Sequence, residues 1–124
     1  MIFLDTHVLV WLYGGALAKF SPKAIKMIEK NELYISPMVE LELNFLYEIK
    51  RLSVDGVEIV RELDSHLGLT VYRVDFYKVV ESAHKLDWTR DPFDRLIVAN
   101  ASMLQAQLIT KDEQIREHYS LAIW

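Results

Sequence analysis

Short apolar runs alternate with longer amphipathic stretches along the whole chain. Runs of strand length lie at 2–4 (IFL), 33–36 (LYIS), 69–74 (LTVYRV), 108–110 (LIT) and 122–124 (AIW). They are mostly runs of apolar residues rather than strict alternations with polar ones, the pattern of strands buried on both faces. Between them, each proline follows a capping residue: Ser21-Pro22, Ser36-Pro37 and Asp91-Pro92. Proline suits the first helical position, and a serine or aspartate before it accepts a bond from the free N–H groups of the first turn, so each pair predicts a helix start. Further helices are predicted over 7–13, 54–66 (stopping near Gly68), 75–86 and 113–118. Strands alternating with helices predict an α/β chain, a three-layer α/β/α sandwich on a mostly parallel sheet. There is no repeat, low-complexity tract or linker, so residues 1–124 read as one domain.

Composition narrows the chemistry. A chain that is 52% hydrophobic and 26% charged folds as a globule rather than staying disordered. With no cysteine, any metal must be held by oxygen or imidazole. The formal net charge of -4 is the wrong sign for binding nucleic acid through bulk positive potential, which leaves that role to local basic clusters. MIFLDTHVLVWL begins apolar, but Asp5 and His7 interrupt it and no charged leader precedes it. It reads as neither a signal peptide nor a membrane span, and a cytoplasmic protein without a membrane partner is expected.

In open parallel sheets, ligands bind beyond the carboxyl ends of the strands. Asp5 follows IFL there, and Asp112 follows LIT and Lys111. Within SPMVELELNFLYEIKRL, a helical projection puts Met38, Phe45, Leu46, Ile49 and Leu52 on one side with Leu41 at its margin, and Glu42 inside that arc. Glu40, Asn44, Tyr47 and Arg51 fall opposite. A carboxylate on an apolar face needs a cation or a cleft, because burying it alone costs several kcal/mol or moves its pKa. In RDPFDRLIVANA, Asp91 caps a helix and Asp94 falls in its first turn, ahead of Leu96, Ile97, Ala101 and Leu104. Each acid also has a plain structural role open to it: helix capping for Asp5, Asp91 and Asp112, a favourable place near the helix dipole for Asp94, a salt bridge for Glu42. Together they gather up to four carboxylates at one sheet edge, a self-repelling arrangement unless divalent cations bind. Carboxylates without His or Cys suit Mg²⁺ or Mn²⁺, and such ions carry water and neutralise a phosphodiester, so metal-dependent phosphoester hydrolysis is the reaction indicated.

IFLDTHVLVWL, ISPMVELELNFLYEIKRL, WTRDPFDRLIVANA and LITKDEQI, in that order and spacing, resemble the PIN-domain ribonucleases, and among them the VapC-type toxins of toxin–antitoxin pairs. The resemblance spans essentially the whole chain. It implies a PIN-like fold and an acidic quartet at Asp5, Glu42, Asp94 and Asp112, acting as catalytic residues and metal ligands. It makes Asp91 accessory and puts the hydroxyls of Thr6 and Thr110 where they orient those ligands. It further implies Mg²⁺- or Mn²⁺-dependent endoribonuclease activity on RNA, a homodimer, and a cognate VapB-type antitoxin that inserts a segment into the acidic groove. RNA would then be held by local bases, with Lys50, Arg51, Arg90, Arg95 and Lys111 as candidates beside their ordinary role as solvated charges.

The histidines at 7, 66, 84 and 118 have no ligand spacing; His7, beside Asp5, is the one placed to meet substrate. Trp11 and Tyr13 stand near a Gly-Gly turn where a partner could meet them, and Phe45, Tyr47 and Phe93 are the aromatics near the expected groove. Two other functions use the same parts. A housekeeping RNA-processing nuclease of the same family would lack an antitoxin. A Mg²⁺-binding phosphoacceptor signalling domain usually has adjacent acids after its first strand, whereas Asp5 stands alone after Leu4.

Overall fold

The apolar triplet that opens the chain becomes the centre of a parallel sheet. The computed structural model describes residues 1–124. β1 (Ile2–Leu4) leads into α1 (Thr6–Tyr13), a short 3-10 turn at Leu17–Lys19, α2 (Pro22–Lys30) and β2 (Leu33–Ile35). α3 (Pro37–Glu48) and α4 (Gly56–Leu67) then precede β3 (Thr70–Val71), and α5 (Phe76–Ala83) and α6 (Pro92–Met103) precede β4 (Gln107–Ile109). α7 (Glu113–His118) and β5 (Ala122–Ile123) complete the chain. The strand order is β3-β2-β1-β4-β5, and every pairing is parallel.

Parallel neighbours need long crossovers, which the helices supply, and those helices flank the sheet and bury its middle. Ile2, Phe3 and Leu4 are each only 1% exposed and join Ile35, Leu108 and Ile109 in the main core. The edge strands β3 and β5 are two residues long and less buried, which leaves little open backbone for another chain to pair with. The run 69–74 yields only Thr70–Val71 as strand: Leu69 turns into the core, and beyond Val71 a single bond from Tyr72 N–H to the Ile35 carbonyl (2.8 Å) follows the ladder.

Each helix predicted from a proline is capped as its sequence requires, with Ser21 accepting from Ala24 N–H (3.0 Å), Ser36 from Met38 N–H (3.2 Å) and Asp91 from Phe93 N–H (2.8 Å). α4 ends on Gly68 in the left-handed conformation (φ 69), which glycine adopts without a Cβ penalty. α5 and α6 pack on each other around a smaller core of Val79, Ala83 and Ala99, with Leu96 against it. α4 approaches α3 closely at Gly56, where an added Cβ would stand 2.4 Å from the Glu40 carbonyl oxygen.

α3 departs from its predicted projection. Its core face is Val39, Leu43 and Leu46, whereas Leu41 (54%), Phe45 (43%) and Ile49 (45%) are exposed and Glu40 and Asn44 are half-buried. Apolar residues occupy two faces of this helix, and counting them alone centred the arc on the exposed one. Glu42 lies at the margin between the two, roughly 60° from the middle of the core face at ~100° per residue. The helix also stops earlier than predicted: Ile49 caps it, and Lys50 takes a left-handed conformation (φ 63) that turns the chain toward α4.

Candidate active site

Because β1 and β4 are neighbours, the chain leaves both strands side by side at their carboxyl ends. Asp5 follows β1 and donates its N–H to the Ile109 carbonyl (3.0 Å), extending the ladder by one residue. Its carboxylate is held by two donors, Thr6 N–H at 2.8 Å and the Thr110 hydroxyl at 2.6 Å. The Thr110 hydroxyl in turn accepts from Asp112 N–H (3.1 Å), and Asp112 caps α7 by accepting from Ile115 N–H (2.8 Å). The Thr6 hydroxyl donates to the carboxylate of Glu42 on α3. Asp94 lies one turn before Ile97 and Val98 and two before Ala101, buried residues of α6 that pack in the main core, so the head of the same face points at the sheet edge.

These residues meet in one pocket of about 230 Å³, lined by Asp5, Glu42, Asp91, Asp94 and Asp112 together with His7, Val8, Trp11 and Lys111. A larger depression elsewhere, along β3 and α4, holds none of these acids. Capping and clustering are therefore compatible: Asp5, Asp91 and Asp112 each cap a helix and each line the pocket.

No carboxylate of the cluster has a basic partner; the ion pairs of the chain are Arg61–Glu58 and His66–Glu62, both on α4. Three members of the cluster, Asp94, Glu42 and Asp5, resist ionisation. Burial is the main cause at Asp94, whose pKa is pushed up to about 7, with Asp91, Asp5, Asp112 and Glu42 repelling its charge. Burial likewise raises Glu42 to about 6, against the bond from Thr6 and with Asp5 and Asp91 adding repulsion. Asp5 is raised by burial despite its bonds from Thr110 and Thr6.

The donor set fits a hard divalent ion: oxygen ligands only, unneutralised, and steered by two threonines. No three of the side chains converge tightly enough to chelate one bare ion. A hydrated ion does not need them to, because Mg²⁺ keeps several waters and takes one or two carboxylates directly.

The basic residues divide. Lys111 lines the pocket, while Lys50 and Arg51 line a separate depression after α3. Arg90 points its guanidinium at the Asp87 carbonyl (2.8 Å), and Arg95 is half-buried with its Nε unpartnered. Of the aromatics, Trp11 lines the pocket, whereas Phe45 and Phe93 pair with each other (centroids 5.8 Å) outside its lining. Val8 and Trp11 enter the pocket on the first two turns of α1, which follows directly on Asp5; only that adjacency foreshadows them in the sequence.

The raised pKa values fix a pH dependence. An acid whose pKa is higher in the folded than in the unfolded chain holds its proton longer when folded, so stability is lost as pH rises from the ordinary carboxylate range through the folded value. For Glu42 and Asp94 that window ends at about 6 and about 7. In chelator, the melting temperature of the wild type should fall across this window more steeply than that of Asp94→Asn, and Mn²⁺ should recover it at the upper end. Parallel pH profiles of the two proteins would contradict this origin of the shift.

The chain belongs to the PIN-domain family, whose model matches residues 2–121. It is 30% identical over 120 residues to Ribonuclease VapC22 of Mycobacterium tuberculosis, a match covering 94% of this chain and 91% of that protein. Two solved structures share its fold. One is a toxin–antitoxin complex from Klebsiella pneumoniae, with a TM-score of 0.64 and 16% identity over 100% of this chain and 97% of that one. The other is VapBC2 from Rickettsia felis bound to a DNA fragment from its promoter, with a TM-score of 0.69 and 18% identity over 100% and 98%. No helix of the chain is long and apolar enough to cross a membrane.

Proposed function

We propose that the protein is a Mg²⁺- or Mn²⁺-dependent endoribonuclease, the toxin of a cytoplasmic toxin–antitoxin pair. The observation that carries this reading is the single pocket joining Asp5, Glu42, Asp94 and Asp112 with no basic partner for any of them. A bound divalent ion would neutralise charge on the phosphodiester and order a water for in-line attack. The chain's own part is placement. The Thr110 hydroxyl and Thr6 N–H hold the Asp5 carboxylate, and the Thr6 hydroxyl holds Glu42, so two ligands from distant segments are fixed through one threonine. Asp91 fixes the first turn of α6 and thereby the direction of Asp94. Lys111 is the basic side chain of the pocket wall and is assigned to RNA phosphate, with Arg90, Arg95, Lys50 and Arg51 contributing at most along a longer path.

The ribonuclease name of the relative and the toxin–antitoxin complexes among similar folds support the substrate and a VapB-type antitoxin as partner. The exposed Leu41, Phe45 and Ile49 on α3 supply an apolar surface of the kind a homodimer or an antitoxin covers. The test is cleavage of total RNA by purified protein in Mn²⁺ and in chelator. Discrete cuts that need the ion, and that a copurifying small protein suppresses, are expected. Absence of cleavage with every divalent ion tried would refute the nuclease assignment; cleavage with no inhibitory partner would favour a housekeeping nuclease.

A further inference from the structure

Part of the pocket wall carries no acid. His7, Trp11 and Lys111 line it. The Trp11 indole is half-buried and fixed by edge-type contacts with Phe20 (centroids 6.0 Å, planes 88° apart) and Trp124 (5.5 Å, 65°), which stack on each other at 5.4 Å. The ammonium of Lys19 lies 5.5 Å from the Trp11 ring and that of Lys111 lies 5.9 Å from it; Lys111 is also 5.9 Å from Trp124. Both lysines are exposed, and neither is paired with a carboxylate. A rigid aromatic plane reaching a pocket, with two ammonium groups over it and no carboxylate pairing either, is the makeup of a single-stranded polynucleotide site: a base takes the place of an ammonium over the ring while the flexible lysines turn to the backbone. Fixing the indole beforehand also lowers the ordering cost of stacking.

We infer that Trp11, with Lys19 and Lys111, forms a nucleotide subsite adjoining the acid pocket: the indole stacks on an unpaired base near the scissile bond and the lysines hold the flanking phosphates. This deepens the ribonuclease reading and rests on it. An acidic peptide would satisfy the lysines but gives no reason for a flat ring on the pocket wall.

Cleavage tests the nuclease and binding tests the subsite, so the two can fail separately. Affinity would be measured by fluorescence anisotropy in Ca²⁺ with a short labelled single-stranded oligoribonucleotide of mixed sequence, intact or with one abasic nucleotide moved along it. For the wild type, one abasic position should weaken binding about ten- to a hundredfold. Trp11→Leu should lose as much on intact RNA and be indifferent to base removal, whereas Trp11→Phe keeps most of the affinity. Lys111→Ala should weaken intact and abasic RNA alike and reduce the log–log salt slope by roughly 0.7. Equal binding of intact and abasic RNA by the wild type overturns the proposal, and needs no variant to fold. So does a Trp11→Leu protein that still discriminates between them. A Trp11→Leu protein that binds RNA normally but escapes a protein inhibitor would assign the wall to a peptide and likewise overturn it.

Discussion

Asp94→Asn is expected to lower Mn²⁺-dependent RNA cleavage by more than about a hundredfold, because in the proposed site it would remove one fixed charge from the ion's surroundings, where a metal would supply several kcal/mol of transition-state stabilisation. The chain should stay folded. The Asp94 carboxylate accepts no hydrogen bond from the rest of the protein, since the cap of α6 is made by Asp91. What the substitution removes is the cost of burying a charge, and with it repulsion from Asp91, Asp5, Asp112 and Glu42, set against a loss of ~0.3–1 kcal/mol for a first-turn acid near a helix N-terminus. The melting temperature in chelator should therefore equal or exceed that of the wild type. Single-turnover cleavage and a thermal melt on the same preparation check both halves. Retained cleavage would remove Asp94 from the site; lost cleavage with a much lower melting temperature would mean the residue serves the fold.

Gly56→Ala is expected to be among the most damaging one-atom changes in the molecule. Its Cβ would stand 2.4 Å from the Glu40 carbonyl oxygen, 3.0 Å from Asn44 N and 3.2 Å from Leu43 Cβ. Two of these are backbone atoms of α3 and cannot swing aside, so α4 must back away from a helix whose core face it covers. Overpacking of this kind costs about 1–3 kcal/mol, a drop of roughly 3–15 °C for a chain of this size. Gly14→Ala is the control: its Cβ would meet only the Val10 carbonyl, at an ordinary 3.4 Å, with no positive φ. If the two variants melt together, α3 and α4 are not as tightly apposed as described. Since α3 carries Glu42, the Gly56 variant should also lose nuclease activity out of proportion to its unfolded fraction.

What could be read in advance was encoded locally. Ser21, Ser36 and Asp91 announced their helices because capping involves neighbours in the chain, and IFL and LIT announced buried strands because burial on both faces leaves no polar alternation. The end of α3 is not marked in the sequence, because no glycine stands there; Lys50 takes the left-handed turn instead. The buried face of α3 is illegible for a different reason. Periodicity cannot distinguish an apolar face packed on the core from one left open, and α3 has both. In the site, Asp5 and Asp112 followed from their places after strands, and Asp94 from its helix start. Glu42 falls in an apolar arc that is centred on the exposed face of α3, and it is its position at the margin of the core that puts it in the pocket. The ring cluster was invisible, because Trp11 and Trp124 come from opposite ends of the sequence and are brought together by the sheet.

The pairing of β1 with β4 has a temporal consequence. Asp5 is oriented by the hydroxyl of Thr110, 105 residues further along the chain, and β4 must slot in beside β1 before they can meet. Closing so long a loop is slow compared with forming local helices. A folding chain, however much helix it has made, has no assembled pocket until β1 and β4 have paired. The pocket therefore arrives with the sheet, as a whole, and never in halves.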